Sequence, residues 1–258
     1  MYAVDNIHLA RSTARSGLVP QVTIMDISTS VAPALNPSDI SAPVLAKGAS
    51  LAEQTYDFVK EAIISLRFAP GSPLLENQLA KHLGISRSPM REALARLERE
   101  GFIELVPWRG ARVQEISRKY VVELYQVRSS LEGTAARLAI PNLGREELVA
   151  FKEATAEIAR RIESGDTADF YRHEAEFHDL FVTRCGNDLL QQTLIGMRGH
   201  INRVRNYLSL HAIPRHEVIS CREHQMVLEA LLSGDGDLAE SAVRQHLNGV
   251  LARIAPFF

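Results

Sequence analysis

The chain has 258 residues, of which 46% are hydrophobic and 23% charged, and its formal net charge at neutral pH is −2. That length exceeds one average domain, the composition is ordinary for a globular protein, and the charge gives no membrane or nucleic-acid signal by itself. No apolar run approaches the roughly 20 residues that a spanning helix needs, and Cys185 and Cys221 form no C-x-x-C pair, which points to buried, reduced thiols in a cytoplasmic protein.

Residues 1–48 disperse Ser, Thr, Ala and Pro without periodicity and read as a disordered arm. Arg11 and Arg15 would suit a targeting peptide, but no compact apolar segment accompanies them, and Met25 is an alternative start. The next unit, 49–116, reads as a winged helix-turn-helix. Leu75, Leu79, Ala80 and Leu83 recur at helical spacing, and Gly84 supplies a left-handed stop. Ser86 is placed to cap a second helix with its side chain, and Pro89 falls in the first turn, where a missing donor costs little.

Met90, Ala93, Leu94 and Leu97 form the buried stripe of that second helix, which leaves Arg87 and Arg91, four apart, on another face near its N-terminus. That end of a recognition helix enters the major groove. Arginine suits a bidentate contact with guanine, worth roughly 1–3 kcal/mol of discrimination, so Arg87 and Arg91 are the candidate base readers. Lys81, Ser86 and Ser88 suit phosphates, which position the module without reading sequence. After Gly101, Phe102 to Val106 has strand propensity. Pro107-Trp108-Arg109-Gly110 then turns the chain into Ala111 to Gln114, a wing with Arg109 and Gly110 at its tip.

The plain alternative is a solvated basic helix. Residues 51–115 carry nine basic and nine acidic side chains, whereas 77–99 carry five basic against two acidic, so the positive charge is focused where a duplex would require it.

From 117 to 258 apolar residues recur at three-to-four spacing, broken at Pro141-Asn142, Gly165-Asp166, Gly186-Asn187, Pro214 and Gly234 to Asp237. The pattern predicts an antiparallel all-α bundle of six or seven helices, so the chain as a whole is expected to be mainly α.

Ligand-type residues interrupt three of these stripes. Glu174 and His178 share the stripe of Phe170, Phe177 and Phe181; His224 lies with Cys221 and Leu228; His246 lies with Val243 and Val250. With Asp235 as the midpoint of the turn, His224 and His246 are each eleven residues away and should face each other across a helical hairpin. Three imidazoles and a carboxylate suit Zn, Ni, Mn or Fe and can leave a position open for a small ligand; the alternative is that the histidines hydrogen-bond one another or the backbone. Cys221 is an outside candidate ligand, and Cys185 lies too far along its helix. Arg128 sits in the stripe of Leu124 and Leu131, where it either pairs with Glu132 or clamps an incoming carboxylate. Arg198, Arg203 and Arg205 could add positive charge for such an acid but read more readily as solvated surface, and His173, His200, His211 and His216 show no convergent partners.

The stretches Ala69-Pro70-Gly71-Ser72-Pro73-Leu74, Ser86 to Leu94 and Glu100-Gly101-Phe102-Ile103 resemble, in order and spacing, the winged helix-turn-helix of GntR-family bacterial regulators. That resemblance places Arg87, Arg91 and Gly110 on DNA-contact positions; Asn77 stands where some members carry a further arginine. Residues 117–253 resemble the FCD ligand-sensing domain of the FadR subfamily, with Glu174, His178, His224 and His246 on its metal-binding positions and Glu174 replacing a more usual aspartate. The resemblance implies a regulator, more commonly a repressor than an activator, that acts as a homodimer on a pseudo-palindromic double-stranded operator and responds to a small organic acid. Other readings are a metalloenzyme with an accessory DNA module and an architectural DNA-binding dimer with a purely structural metal.

Overall fold

The computed structural model describes residues 50–106, 110–211, 213 and 215–258. The N-terminal arm, Met25, Arg109 at the wing tip and the break at Pro214 lie outside the described residues.

Helix α1 (Leu51–Ile64) starts where the Ser50 hydroxyl accepts from the Glu53 amide at 3.1 Å, and it buries Tyr56, Phe58, Val59, Ala62 and Ile63. Helix α2 (Glu76–Leu83) ends at Gly84, whose φ of 65° is the left-handed stop the sequence predicts. Leu75 corrects one expectation. It is the extended residue before α2 and is 41% exposed, because the helix begins one residue later and its buried stripe only at Leu79.

Helix α3 (Arg87–Arg99) buries Met90, Ala93, Leu94 and Leu97, as the stripe predicts. Ser86 occupies its N-cap with extended backbone, but its side chain makes no cap hydrogen bond, so only the backbone half of that expectation holds. Strands β1 (Pro73–Leu74), β2 (Ile103–Val106) and β3 (Gly110–Val113) form an antiparallel sheet in the order β1-β3-β2, with Glu104 opposite Arg112. Helices α1 to α3 and this sheet enclose one core containing Phe102 and Met90.

The second core is helical: α4 (Arg118–Ala139), α5 (Arg145–Glu163), α6 (Phe170–Val182), α7 (Asp188–Ser209), α8 (His216–Ser233) and α9 (Gly236–Ile254). Among the described residues these are six helices, within the range the periodicity predicts. Helix α4 runs along α9, α8 packs between α5 and α9, and α6 and α7 lean on α4. The α8–α9 hairpin is tight because Gly234 is left-handed and the Asp235 carboxylate accepts from the Asp237 and Leu238 amides, both at 3.0 Å.

Candidate functional site

The first candidate surface lies at the N-terminal end of α3. Burial of Met90 and Leu94 turns Arg87 and Arg91 outward, and Lys81, Ser86, Ser88, Arg87 and Arg91 are all exposed. Glu76, Asn77, Gln78, Arg87, Arg91 and Gly110 border one open hollow of about 400 Å³. Gly110, with φ 88°, lets the wing lie close to β1; a Cβ there would sit 3.2 Å from the Leu74 carbonyl oxygen. The structure therefore brings Arg87, Arg91 and Gly110 together around one concavity. Arg91 also donates from Nε to Glu76 Oε1 at 2.9 Å.

The second candidate site is inside the bundle. His178 from α6, His224 from α8 and His246 from α9 are all buried, and each offers a ligand atom within 4.8 Å of the others. His224 Nε2 and His246 Nε2 stand 3.2 Å apart, where the hairpin symmetry places them. Two carboxylates back the rings. Glu223 Oε2 accepts from His246 Nδ1 at 2.8 Å, which favours the tautomer with a bare Nε2 there, while Glu132 Oε2 lies 2.6 Å from His178 Nδ1 without hydrogen-bond geometry. Burial pushes His178 well below the usual histidine value, and Arg128 and Arg205 add to the shift; burial, then His246 and His178, does the same for His224. Burial would raise the Glu223 carboxyl, but hydrogen bonds from His246 and Arg253 prevail and hold it at about 2.

Glu174 falls outside the three-histidine group. Its Oε1 lies 3.3 Å from Arg205 Nε, and its Oε2 is buried without a partner. Burial alone would raise its carboxyl; Arg205 and Arg128 outweigh that and keep it ionised. Arg128, fully buried, donates from Nε to Glu132 Oε1 at 2.6 Å while its Nη1 and Nη2 have no partner. The Glu132 pairing is thus formed by one edge of the guanidinium, and the other edge makes no hydrogen bond among the described residues. Beside it a cavity of about 120 Å³ is bordered by Arg128, Glu132, His178, Asp179, Arg198 and Arg205. Cys221 is not part of this centre. It packs with Ile158 and Phe170, and burial pushes its thiol up to about 12.

Two family models match the chain, the gntR family of bacterial regulatory proteins over residues 51–113 and the FCD domain over 123–249. An HTH-type transcriptional regulator of Bacillus subtilis, YdhC, is 32% identical over 76% of this chain and 87% of its own length. The chain belongs to the GntR family. Among other relatives of this GntR regulator, the Escherichia coli repressor RspR is 29% identical over 77% of the chain and 86% of its own length. A probable D-xylose utilization operon repressor of Paenarthrobacter nicotinovorans is 32% identical over 80% and 89%. The solved structure of Escherichia coli McbR/YncC has the same fold, with a TM-score of 0.62, 23% identity, and coverage of 79% of this chain and 96% of that one. The protein is a DNA-binding transcriptional regulator and not an enzyme.

Several residues of the GntR regulator sit where the sequence reading did not put them. Arg203 is fully buried and Arg205 is 7% exposed, which corrects the expectation of solvated arginines on α7. Leu194, Arg198, Ile201, Arg205 and Leu208 are spaced 4-3-4-3, a seam in which two arginines replace apolar residues, and that spacing was the available signal. Burial lowers Arg203 to about 10, and its guanidinium donates to the Gln114 carbonyl. His200 does have partners. Its ring stacks on Phe102 at 4.2 Å, its Nε2 lies 2.9 Å from the Glu100 carbonyl oxygen, and its Nδ1 lies close to the Tyr120 hydroxyl at 2.5 Å. His173 meets Thr155 Oγ1 at 2.9 Å. Asn206 donates to the Ile64 carbonyl at 2.8 Å. Helix α7 therefore carries cavity residues on one face and contacts to the DNA-binding domain on the other.

Proposed function

We propose that this GntR regulator is a repressor of the FadR subfamily that acts in the cytoplasm as a homodimer on a pseudo-palindromic operator and releases it when a small carboxylic acid enters the cavity beside Arg128. Arg87 and Arg91 read bases; Lys81, Ser86 and Ser88 hold phosphates, with Arg109 and Gly110 serving the wing. The observation that carries the effector half is the pair of buried guanidiniums bordering one cavity, with Arg128 Nη1 and Nη2 and Arg205 Nη2 all unpartnered. Buried cations with idle donors are costly, and a carboxylate is the group that satisfies them. The volume limits the acid, since a cavity of about 150 Å³ holds benzene, so an acid of roughly two to four carbons fits.

His178, His224 and His246 are the residues that would hold a divalent ion (Zn, Ni, Mn or Fe), and the unpartnered Glu174 Oε2 is the carboxylate oxygen available to join them. The idle ring nitrogens of His178 and the Glu223 carboxylate hydrogen-bonded behind His246 support that reading. Such an ion would supply an electrophilic anchor for one oxygen of the acid. Arg128 and Arg205 then orient the carboxylate, and any pull on Arg198 or Arg205 acts on α7, whose other face carries His200 against the DNA-binding domain. The coupling requires the acid to prefer one arrangement of the domains.

Thermal melting of the purified protein with a panel of two- to four-carbon acids tests this reading. At least one acid at saturating concentration raises the midpoint by several degrees, and the gain shrinks in Arg205→Lys, which keeps the charge but loses the forked donor. A panel without any shift, in protein with confirmed metal content, removes the effector half and favours the architectural reading.

A further inference from the structure

We propose that Glu76 is a specificity-determining positioning residue for DNA recognition, holding Arg91 by its Nε so that the outer edge of the guanidinium is presented to one guanine. The inference rests on the reading of Arg91 as a base contact. Glu76 opens α2, where the helix dipole favours a carboxylate. Its Oε1 accepts from Arg91 Nε at 2.9 Å across the helix-turn-helix, and Arg91 has no other ion pair among the described residues.

Guanidinium geometry gives this contact its meaning. A fork that meets guanine O6 and N7 uses two adjacent N–H groups. With Nε taken by Glu76, the Nη1/Nη2 edge remains, and its direction is set by a residue on a different helix. The Arg91 side chain is 67% exposed while that of Glu76 is only 22% exposed, so the carboxylate is the fixed member and the arginine the one being steered. An ion pair so exposed adds little to stability.

The carboxylate also has a cost that needs a reason. It borders the hollow that Arg87, Arg91 and Gly110 line, facing the polyanion, and it weakens attraction to phosphates in general. A negative charge there lowers affinity for all DNA and is useful only if it raises the ratio between right and wrong sequences, since a steered arginine rejects what a free one tolerates. Glu76 does both: it points Arg91 and penalises DNA that does not engage it.

Selection from random duplexes with the full-length protein, followed by affinities for the selected site and its single-base variants, tests the proposal. Arg91→Ala removes one guanine preference in each half-site. Glu76→Ala is expected to cut that same preference about tenfold, leave the position read by Arg87 within twofold, and tighten binding to random DNA. Glu76→Ala added to Arg91→Ala changes the selected preferences no further. Melting midpoints fall by no more than a few degrees throughout, so a folding defect is separable. If Glu76→Ala leaves the Arg91-dependent preference within twofold, Glu76 does not position it. If Arg91→Ala itself alters no preference, the underlying reading of Arg91 fails and the proposal falls with it, an outcome that the Arg91 variant alone reveals.

Discussion

Replacing His200 by alanine attacks the link between the two halves of the molecule, removing a ring that packs on the edge of the first core. The ring stacks on the fully buried Phe102 at 4.2 Å with planes 5° apart, an arrangement worth about 0.5–1.5 kcal/mol. Its two nitrogens meet the Glu100 carbonyl oxygen and the Tyr120 hydroxyl, each worth about 0.5–1.5 kcal/mol net. Tyr120 belongs to α4, so the stack and the Glu100 bond are the terms that reach the DNA-binding domain, and its contact with α7 should weaken by about 1–3 kcal/mol in His200→Ala. Among the described residues, α7 is also tied to that domain by hydrogen bonds from Arg203 to the Gln114 carbonyl and from Asn206 to the Ile64 carbonyl, and by the packing of Gly199 on Phe102 and Ile64. Hydrogen exchange is the direct assay: amides of α1 and of the Phe102 segment should lose protection while those of α8 and α9 keep theirs. In parallel, the change in operator affinity caused by the acid should shrink several-fold, because the cavity no longer moves what it does not hold. Unchanged protection of the α1 amides, or an acid response within twofold of the parent protein, would refute the route through α7.

Three further outcomes follow from the same geometry. Arg205→Leu leaves the Glu174 carboxylate buried and unpaired, so it should destabilise the fold by about 3–5 kcal/mol, measured by urea unfolding, whereas Arg205→Met with Glu174→Met should recover most of the loss. His224→Ala should lower bound metal by elemental analysis while operator contacts stay as they were; unchanged stoichiometry would mean that the three histidines are not the ligands. The third concerns pH. Burial, more than any neighbour, lowers His200 below its ordinary value, against the smaller upward pull of the Glu100 carbonyl. A ring kept neutral in the fold contributes stability that is present above the unfolded value of about 6.5 and is lost as pH falls through that value towards the folded one. Stability should thus fall between about pH 7 and pH 5, with the other buried histidines contributing, and His200→Gln should lessen the slope; an identical slope would assign the acid sensitivity to those others.

The parts of the molecule legible in the sequence are those governed by local periodicity. Met90, Ala93, Leu94 and Leu97 fix the face of α3, and Gly84 fixes its turn, because helical spacing and a left-handed stop are properties of neighbouring residues. The meeting of His224 and His246 was legible for a related reason, since a short hairpin makes equal distances from the turn equal heights. Arg205 was not, because a charged residue at a seam position looks like surface until its partner Glu174, 31 residues earlier, is known to face it. Glu223 was overlooked beside the more conspicuous His224, although it reaches His246 rather than its neighbour. His200 was least legible, since Tyr120 is 80 residues away and Glu100 is 100, and no spacing rule connects a bundle helix to the end of α3. Ser86 marks the opposite limit: its type and position suit a side-chain cap, yet only the backbone adopts the role.

The central claim is that occupancy of the Arg128–Arg205 cavity changes DNA affinity. Titration of the full-length, metal-characterised protein against the DNA flanking its own gene, with and without the acid that raises its melting temperature, measures this directly. The account predicts that this acid weakens operator binding by about 5–150-fold, the usual range of such coupling, and that Arg128→Leu or Arg205→Lys reduces the effect. An acid that binds in the cavity and leaves operator affinity the same would contradict it.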